Sequence, residues 1–289
     1  MSSISTSPPG ATDDVFIGDS EMARLMRAHD WAATPLGPVS GWAPSLKVAL
    51  GLLLTSRFEM WLGWGEDVQF FYNDAYRPTL GSKHPRSLGQ PVRLIYPEIW
   101  DDIRGRIHSV YREGASTWDR ALLLLINRRG FLEETYHTFS YSPLRDADGS
   151  VGGIFCAVSE ETERVISERR LATLGALASA LSEAKGETSV LRAAAQGMGS
   201  NDRDLPFTVT YLFDADGAAH VAGMTNVAEG SELARRAVAT RDALWDVQSI
   251  WRRIWTIPRA PGRCRPPAPR SCRSSGRVPS IRWARSWWD

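Results

Sequence analysis

Five histidines, His29, His84, His108, His137 and His220, are the side chains best suited to holding a metal or moving a proton near neutral pH. They are scattered along the chain. No two stand four apart with an acid between them, the spacing by which one helix face holds zinc. The acid pairs Asp101-Asp102 and Glu133-Glu134 read as helix N-terminal charge and as solvated strand residues. Cys156 falls in a strand-like run, with Cys264 and Cys272 near the C-terminus, and these spacings make neither a disulfide framework nor a metal set. No Gly-rich loop precedes a helix to cradle a phosphate, and no nucleophile elbow is present. Enzyme chemistry is therefore not expected.

The elements around these residues are legible from spacing. Phe58–Trp64 and Val68–Tyr72 are aromatic-rich runs separated by Gly65-Glu66-Asp67, the composition of a hairpin. Asn73 and Asp74 offer N-caps to a helix running to about Leu80. Upstream, a short helix is expected over Glu21–His29 with Ser20 as its cap. A Pro/Gly-rich loop over 34–44 is pinned by Trp31 and Trp42, and Leu46, Leu50, Leu53 and Leu54 stand at helical spacing in 45–55. Ile99, Ile103, Ile107 and Val110 form the apolar stripe of a helix expected over Ile95–Gly114. Strands are expected at 116–127, 131–143 and 150–159, joined by Arg128-Arg129-Gly130 and Asp146-Ala147-Asp148-Gly149.

The stretch FFYNDAYRPTLG (70–81) resembles the second strand and first helix of a PAS sensor domain, and the preceding segment is similar to N-terminal sensor modules of bacterial histidine kinases. The resemblance extends from about Trp31 to about Leu181, and Thr162-Glu163-Arg164 matches the T-E-R that closes many such domains, with Glu160 where an Asp is usual. It implies an α+β class: a PAS fold with a five-stranded antiparallel sheet, two strands early and three late, and flanking helices. A long linker helix and a partial GAF-like α/β unit follow.

A pocket between sheet and helices is also implied, and Trp61, Tyr72, Tyr76, Trp100, Trp118, Tyr136 and Phe139 are candidate lining. The competing reading is that most are plain core, because strand parity cannot be fixed from one sequence. The sensed ligand is expected to be a small molecule. The cofactor is unknown: haem would need His84 or His108, and a covalent flavin site would want a Cys on a helix, whereas Cys156 is in an apparent strand.

The implied relay is Glu160, Thr162 and Arg164. Leu171, Leu174, Ala178 and Leu181 follow at three-, four- and three-residue spacing, a seam for a homodimer against the alternative of a lone helix packed on its own domain. LATLGALASALSEA resembles the lead-in to a kinase phosphoacceptor helix, but Glu183 stands at the histidine position, and a carboxylate cannot form the phosphoramidate.

The expected organisation is a disordered 1–18, a lead-in 19–44, a PAS domain 45–159, a signalling helix 160–185, a truncated GAF-like segment 186–245 and an Arg/Pro/Trp-rich tail 246–289. Of 289 residues, 43% are hydrophobic and 23% charged, and the net charge of +1 conceals an asymmetry. Trp251–Asp289 has ten Arg, no Lys and one acid, leaving the first 250 residues at about −8. The tail reads as an out-of-frame product of a GC-rich gene, as a low-complexity tail, or as a nucleic-acid-binding arm. Nucleic acid is not the partner expected of the sensor. Without a signal segment or a run approaching the roughly 20 apolar residues of a membrane helix, the chain reads as cytoplasmic. The function expected is the sensory input of a two-component protein, with a dimerisation module bearing a basic tail as the alternative.

Overall fold

The computed structural model describes residues 15–214 and 219–241. The tail from 246, most of the N-terminal 1–18 segment and residues 215–218 lie outside them. Two compact units divide between Val165 and Ile166.

The first unit holds a five-stranded antiparallel sheet in the order β2-β1-β5-β4-β3. Its strands are β1 (Met60–Trp64), β2 (Gln69–Tyr72), β3 (Thr117–Asn127), β4 (Leu132–Arg145) and β5 (Val151–Glu160). Two early strands, three late ones and helices between them give the arrangement that the PAS resemblance implies. The expected hairpin is present, with Trp61 opposite Tyr72 and Leu62 opposite Phe71. β1 also pairs with β5, setting Trp61 against Cys156, so the early hairpin is joined to the late strands through the last of them.

Asn73 explains why the chain turns where it does. Its side-chain oxygen accepts from the Tyr76 and Met60 amides, each at 3.2 Å, and its amide group donates to the carbonyls of Ser56 and Phe58 at 3.2 and 2.7 Å. One buried side chain thus caps the following turn and ties it to the strand before it. The capped element is a 3₁₀ turn (Asp74–Tyr76) running into α3 (Arg77–Leu80).

Ahead of the sheet lie α1 (Glu21–Ala28), capped by the Ser20 hydroxyl on the Ala23 amide, and α2 (Pro44–Thr55). Trp31 stacks on Phe71 at 4.9 Å, and Trp42 meets the same ring edge-on at 5.7 Å. The lead-in from Val15 onward therefore shares one apolar core with the sheet.

The helix expected over Ile95–Gly114 is shorter and interrupted. α4 (Val92–Ile95) stops at Tyr96, a 3₁₀ turn covers Pro97–Ile99, and α5 (Trp100–Glu113) ends at Gly114, whose φ is +63°. Pro97 excludes the helical conformation from the residue before it, and Tyr96 is extended in φ at −123°.

α6 (Thr162–Glu183) follows β5 directly and crosses into the second unit, which contains α7 (Glu187–Gly199), the antiparallel pair β6 (Thr208–Phe213) and β7 (Ala219–Thr225), and α8 (Glu232–Arg241). In that unit Arg169 holds Asp204 through two 2.8 Å bonds, and Asn201 donates to the Thr173 hydroxyl at 2.8 Å. No helix of the described residues is long and apolar enough to cross a membrane.

Candidate functional site

The inner face of the sheet and the helices over it enclose a cavity of about 30 Å³. Its walls come from β1 (Trp61), α3 and the turn before it (Tyr76, Thr79), α4 and α5 with their connection (Val92, Tyr96, Ile99, Ile103), β3 (Leu124, Ile126), β4 (His137, Phe139, Tyr141) and β5 (Cys156, Val158). That volume suits water-sized occupants. It is an order of magnitude below the roughly 300–1,000 Å³ of a drug-sized ligand site.

Of the seven aromatic candidates, the fold brings Trp61, Tyr76 and Phe139 together on the cavity wall. The other four stand elsewhere. Tyr72 is buried, but its hydroxyl bonds His84 Nδ1 at 2.8 Å and the ring packs beside Phe70. Trp100, at the start of α5, is half-buried against the core without reaching the cavity. Tyr136 stands on β4 with the opposite parity to Phe139, and its hydroxyl donates to Glu134.

Trp118 is 69% exposed, because a bulge reverses the parity of β3. Leu122 pairs with His137 on the inner side, yet Asp119 pairs with Phe139, so Arg120 and Ala121 on β3 stand against Thr138 alone on β4, one residue in excess. Ala121, at φ +47°, makes the shift, and Trp118 is turned outward.

Sequence reasoning missed Thr79, Tyr96, His137, Tyr141 and Cys156. The signal for two of them was available: His137 and Tyr141 flank Phe139 at two-residue spacing and so share its face.

Polar groups on the wall are arranged with care. The Tyr76 and Tyr96 hydroxyls bond at 2.9 Å, and burial pushes the pKa of both upward, so both remain protonated. Burial likewise pushes the Cys156 thiol up, which makes it a poor nucleophile. Burial lowers the His137 pKa to about 4, against the attraction of Glu160, so the ring is neutral at pH 7. The Thr135 hydroxyl donates to the Leu124 carbonyl at 2.8 Å, so it accepts from His137 Nε2 at 3.1 Å. That assigns the Nε2–H tautomer and leaves Nδ1 as an acceptor. The Thr79 hydroxyl is buried, lines the cavity and stands beside the Glu59 carboxyl, whose ionisation it eases against the cost of burial.

Neither cofactor considered from sequence fits these residues. Both ring nitrogens of His84 are engaged, Nδ1 by Tyr72 and Nε2 by Glu21 at 3.0 Å, and His108 lies on the exposed side of α5. Cys156 is in β5, not on a helix, and the cavity is far smaller than haem or flavin. No group of His, Cys, Asp and Glu suited to a metal occurs among the described residues.

The chain matches no protein-family model and no curated protein. Among solved structures it is similar to an RNA-binding Light-Oxygen-Voltage receptor, at 22% identity and a TM-score of 0.35, over 53% of this chain and 43% of that one. The chain thus spans less than half of that receptor. It is also similar to the PAS domain of a protein from Colwellia psychrerythraea (15% identity, TM-score 0.32, 41% of this chain and 98% of that one). A third likeness is to a sensory box sensor histidine kinase from Vibrio cholerae (16% identity, TM-score 0.28, 40% and 87%).

At the exit from β5, the three relay candidates part company. Glu160 accepts a two-pronged bond from Arg128, at 2.7 and 2.9 Å, and a bond from the Thr162 hydroxyl at 2.8 Å. Burial opposes its ionisation, but these bonds and the Arg128 charge hold its pKa below the ordinary value. Thr162 in turn accepts from the Tyr136 amide at 3.0 Å, fastening the first residue of α6 to β4. Arg164 pairs with Glu161 one turn away, on an exposed surface. Farther along α6, Leu171 and Leu174 are 67% and 61% exposed, Ala178 is exposed and Leu181 is half-buried.

Proposed function

We propose that the chain is a cytoplasmic sensory input module of a bacterial two-component signalling protein, derived from a sensor histidine kinase. Its PAS cavity takes a small molecule, and α6 carries the response. The observation that supports this most is the wall of the cavity itself. The buried hydroxyl of Thr79, beside the Glu59 carboxyl, can bond an occupant, and β5, which supplies Cys156 and Val158 to the same wall, ends at Glu160, with α6 beginning at Thr162, four residues after Val158. The aromatic walls and the absence of a cation among the lining residues favour an uncharged occupant. Anything larger than a few atoms must spread the helices from the sheet, and that displacement is the signal. Glu160 and Thr162 pass it to α6, with Arg164 on its first turn. The exposed Leu171 and Leu174 continue through Ala178 and Leu181 as the seam of a parallel homodimer, and the segment from 186 is the opening of a GAF domain.

Native mass spectrometry of the full chain, purified from cells under gentle conditions, tests this reading. A dimer with a retained small molecule is expected, and Thr79→Val is expected to weaken retention. A dimer that is empty in every preparation would favour the second reading, a dimerisation module without a ligand, for which the exposed leucine stripe speaks.

A further inference from the structure

Tyr72 and His84 are both candidates from sequence, and the fold takes both away from the cavity and pairs them with each other. Tyr72 is fully buried on β2, and its hydroxyl lies 2.8 Å from His84 Nδ1. On the far side of the imidazole, Nε2 lies 3.0 Å from Glu21 Oε1 at the start of α1. The three side chains lead from the core to the surface: that of His84 is 14% exposed and that of Glu21 38%.

The partners fix the hydrogens along this row. The Glu21 carboxylate offers no proton, so in the neutral ring Nε2 carries the hydrogen and donates it, and Nδ1 is left as an acceptor. Burial pushes the Tyr72 pKa upward, so the phenol keeps its proton and donates to Nδ1. Arg77 holds the other Glu21 oxygen at 2.7 Å, and Asp74 accepts from the Glu21 and Met22 amides at 3.1 and 3.3 Å, which seats the carboxylate against the ring. These are also the charges that reach Tyr72: Arg77, Glu21 and Asp74. The other tyrosines are partnered differently. Tyr76 and Tyr96 bond each other, Tyr111 donates to the Gly65 carbonyl, and Tyr136 donates to Glu134, a weaker base than imidazole.

We propose that Tyr72 is a redox-active tyrosine, with His84 as its proton acceptor, through which the domain registers one-electron oxidants. A phenol that loses an electron becomes a strong acid, and in a core the proton can leave only to a base already within hydrogen-bond reach. The step balances within the three side chains. One electron passes from the Tyr72 ring to an outer-sphere one-electron oxidant, the phenolic O–H bond breaks and an N–H bond forms at Nδ1. The product is a neutral phenoxyl radical beside an imidazolium whose Nε2–H faces the Glu21 carboxylate, and a one-electron reductant reverses it. Ring contacts give the electron a way out: the centroids of Tyr72 and Phe70 are 5.4 Å apart, and Phe70 is again 5.4 Å from Trp61 on the cavity wall. The chemistry needs no occupant of the cavity and stands apart from the ligand-sensing reading above.

Flash oxidation of the full chain by photoexcited tris(bipyridine)ruthenium with persulfate, followed by electron paramagnetic resonance and transient absorption, tests this. The parent is expected to give a phenoxyl radical, distinct in its spectrum from tryptophan radicals. Tyr72→Phe is expected to remove most of that signal, and Tyr136→Phe to leave it in place. His84→Gln keeps a polar partner for the phenol but no base, and is expected to slow phenoxyl formation by about a hundredfold, the lower end of what a positioned base contributes. Glu21→Gln, at the exposed end of the row, is expected to slow it severalfold, as the loss of one partly exposed ion pair would, and it carries the test should His84→Gln not fold. A phenoxyl signal undiminished in Tyr72→Phe would overturn the assignment of the radical, and an unchanged rate in either partner variant would overturn the proton path.

Discussion

β2 and β4 belong to one sheet but are buried differently. All four residues of β2, Gln69-Phe70-Phe71-Tyr72, are buried: Phe70 and Tyr72 face the helices over the cavity, and Phe71 faces the tryptophans of the lead-in. On β4 one face is sealed, with His137, Phe139 and Tyr141 inside, while opposite them Thr138, Ser140 and Ser142 are half-exposed and Tyr136 is buried. The lead-in makes the difference, covering the outer face over β1–β2 and leaving Trp118, Leu125 and Leu132 exposed toward β3. The segment ahead of the sheet is thus a third layer over half of the domain rather than a tether.

Deleting a ring from each half tests that contrast. Phe71→Ala empties the joint between Trp31 and Trp42 and is expected to cost about 3–5 kcal/mol in chemical denaturation, the range for a buried phenylalanine. Lead-in amides around Trp31 should lose protection together with those of β2 rather than ahead of them. If the lead-in exchanges freely while the sheet stays protected, the two do not share one core.

The half-sealed strand carries the next largest effect, through His137. The core holds this ring neutral: an unfolded chain takes up the proton below about pH 6.5, whereas the folded chain resists until about 4. The contribution is therefore undiminished above pH 6.5 and is lost as the pH falls from there toward 4, by on the order of 2–3 kcal/mol. Glu160, held below the ordinary carboxylate range, does not titrate in the upper part of that window. His137→Gln should flatten stability between pH 6.5 and 5, as followed by denaturant midpoints. An unchanged slope in that variant would place the titrating group elsewhere.

The same contrast explains what was legible in sequence. Strands, turns and caps were, because each rests on local chemistry: Ser20 and Asn73 cap where their spacing says, and the Gly-containing turns fall where strands end. The site was less so. A strand sealed on both faces has no alternation to read, so nothing distinguishes Phe70, beside Tyr76 and Tyr96, from Phe71 behind it. On β4 the alternation exists, and one fixed point at Phe139 would have assigned His137 and Tyr141 to the site and set Tyr136 apart. On β3 alternation misleads. Counting back by twos from the buried Leu124 brings Trp118 to the inner face, and only the bulge at Arg120-Ala121 places it outside. Arg128 escaped notice for another reason, since its partners stand 5 and 32 residues away.

Trp118 gives the smallest expected effect and the sharpest check on that bulge. With the ring 69% exposed, Trp118→Ser should change stability by no more than about 0.5 kcal/mol, the ordinary range for surface positions. Were the strand regular, the ring would stand among Ile103, Phe139 and Tyr141, and the same change would cost about 3–5 kcal/mol as a core truncation. The two registers therefore differ by several kcal/mol in one denaturation experiment. Fluorescence of the parent gives an independent reading, because an outward indole is open to a water-soluble quencher and the buried Trp31, Trp42 and Trp61 are shielded. A fall in the quenchable fraction in Trp118→Ser, with the denaturation midpoint unmoved, is the result the bulged strand requires.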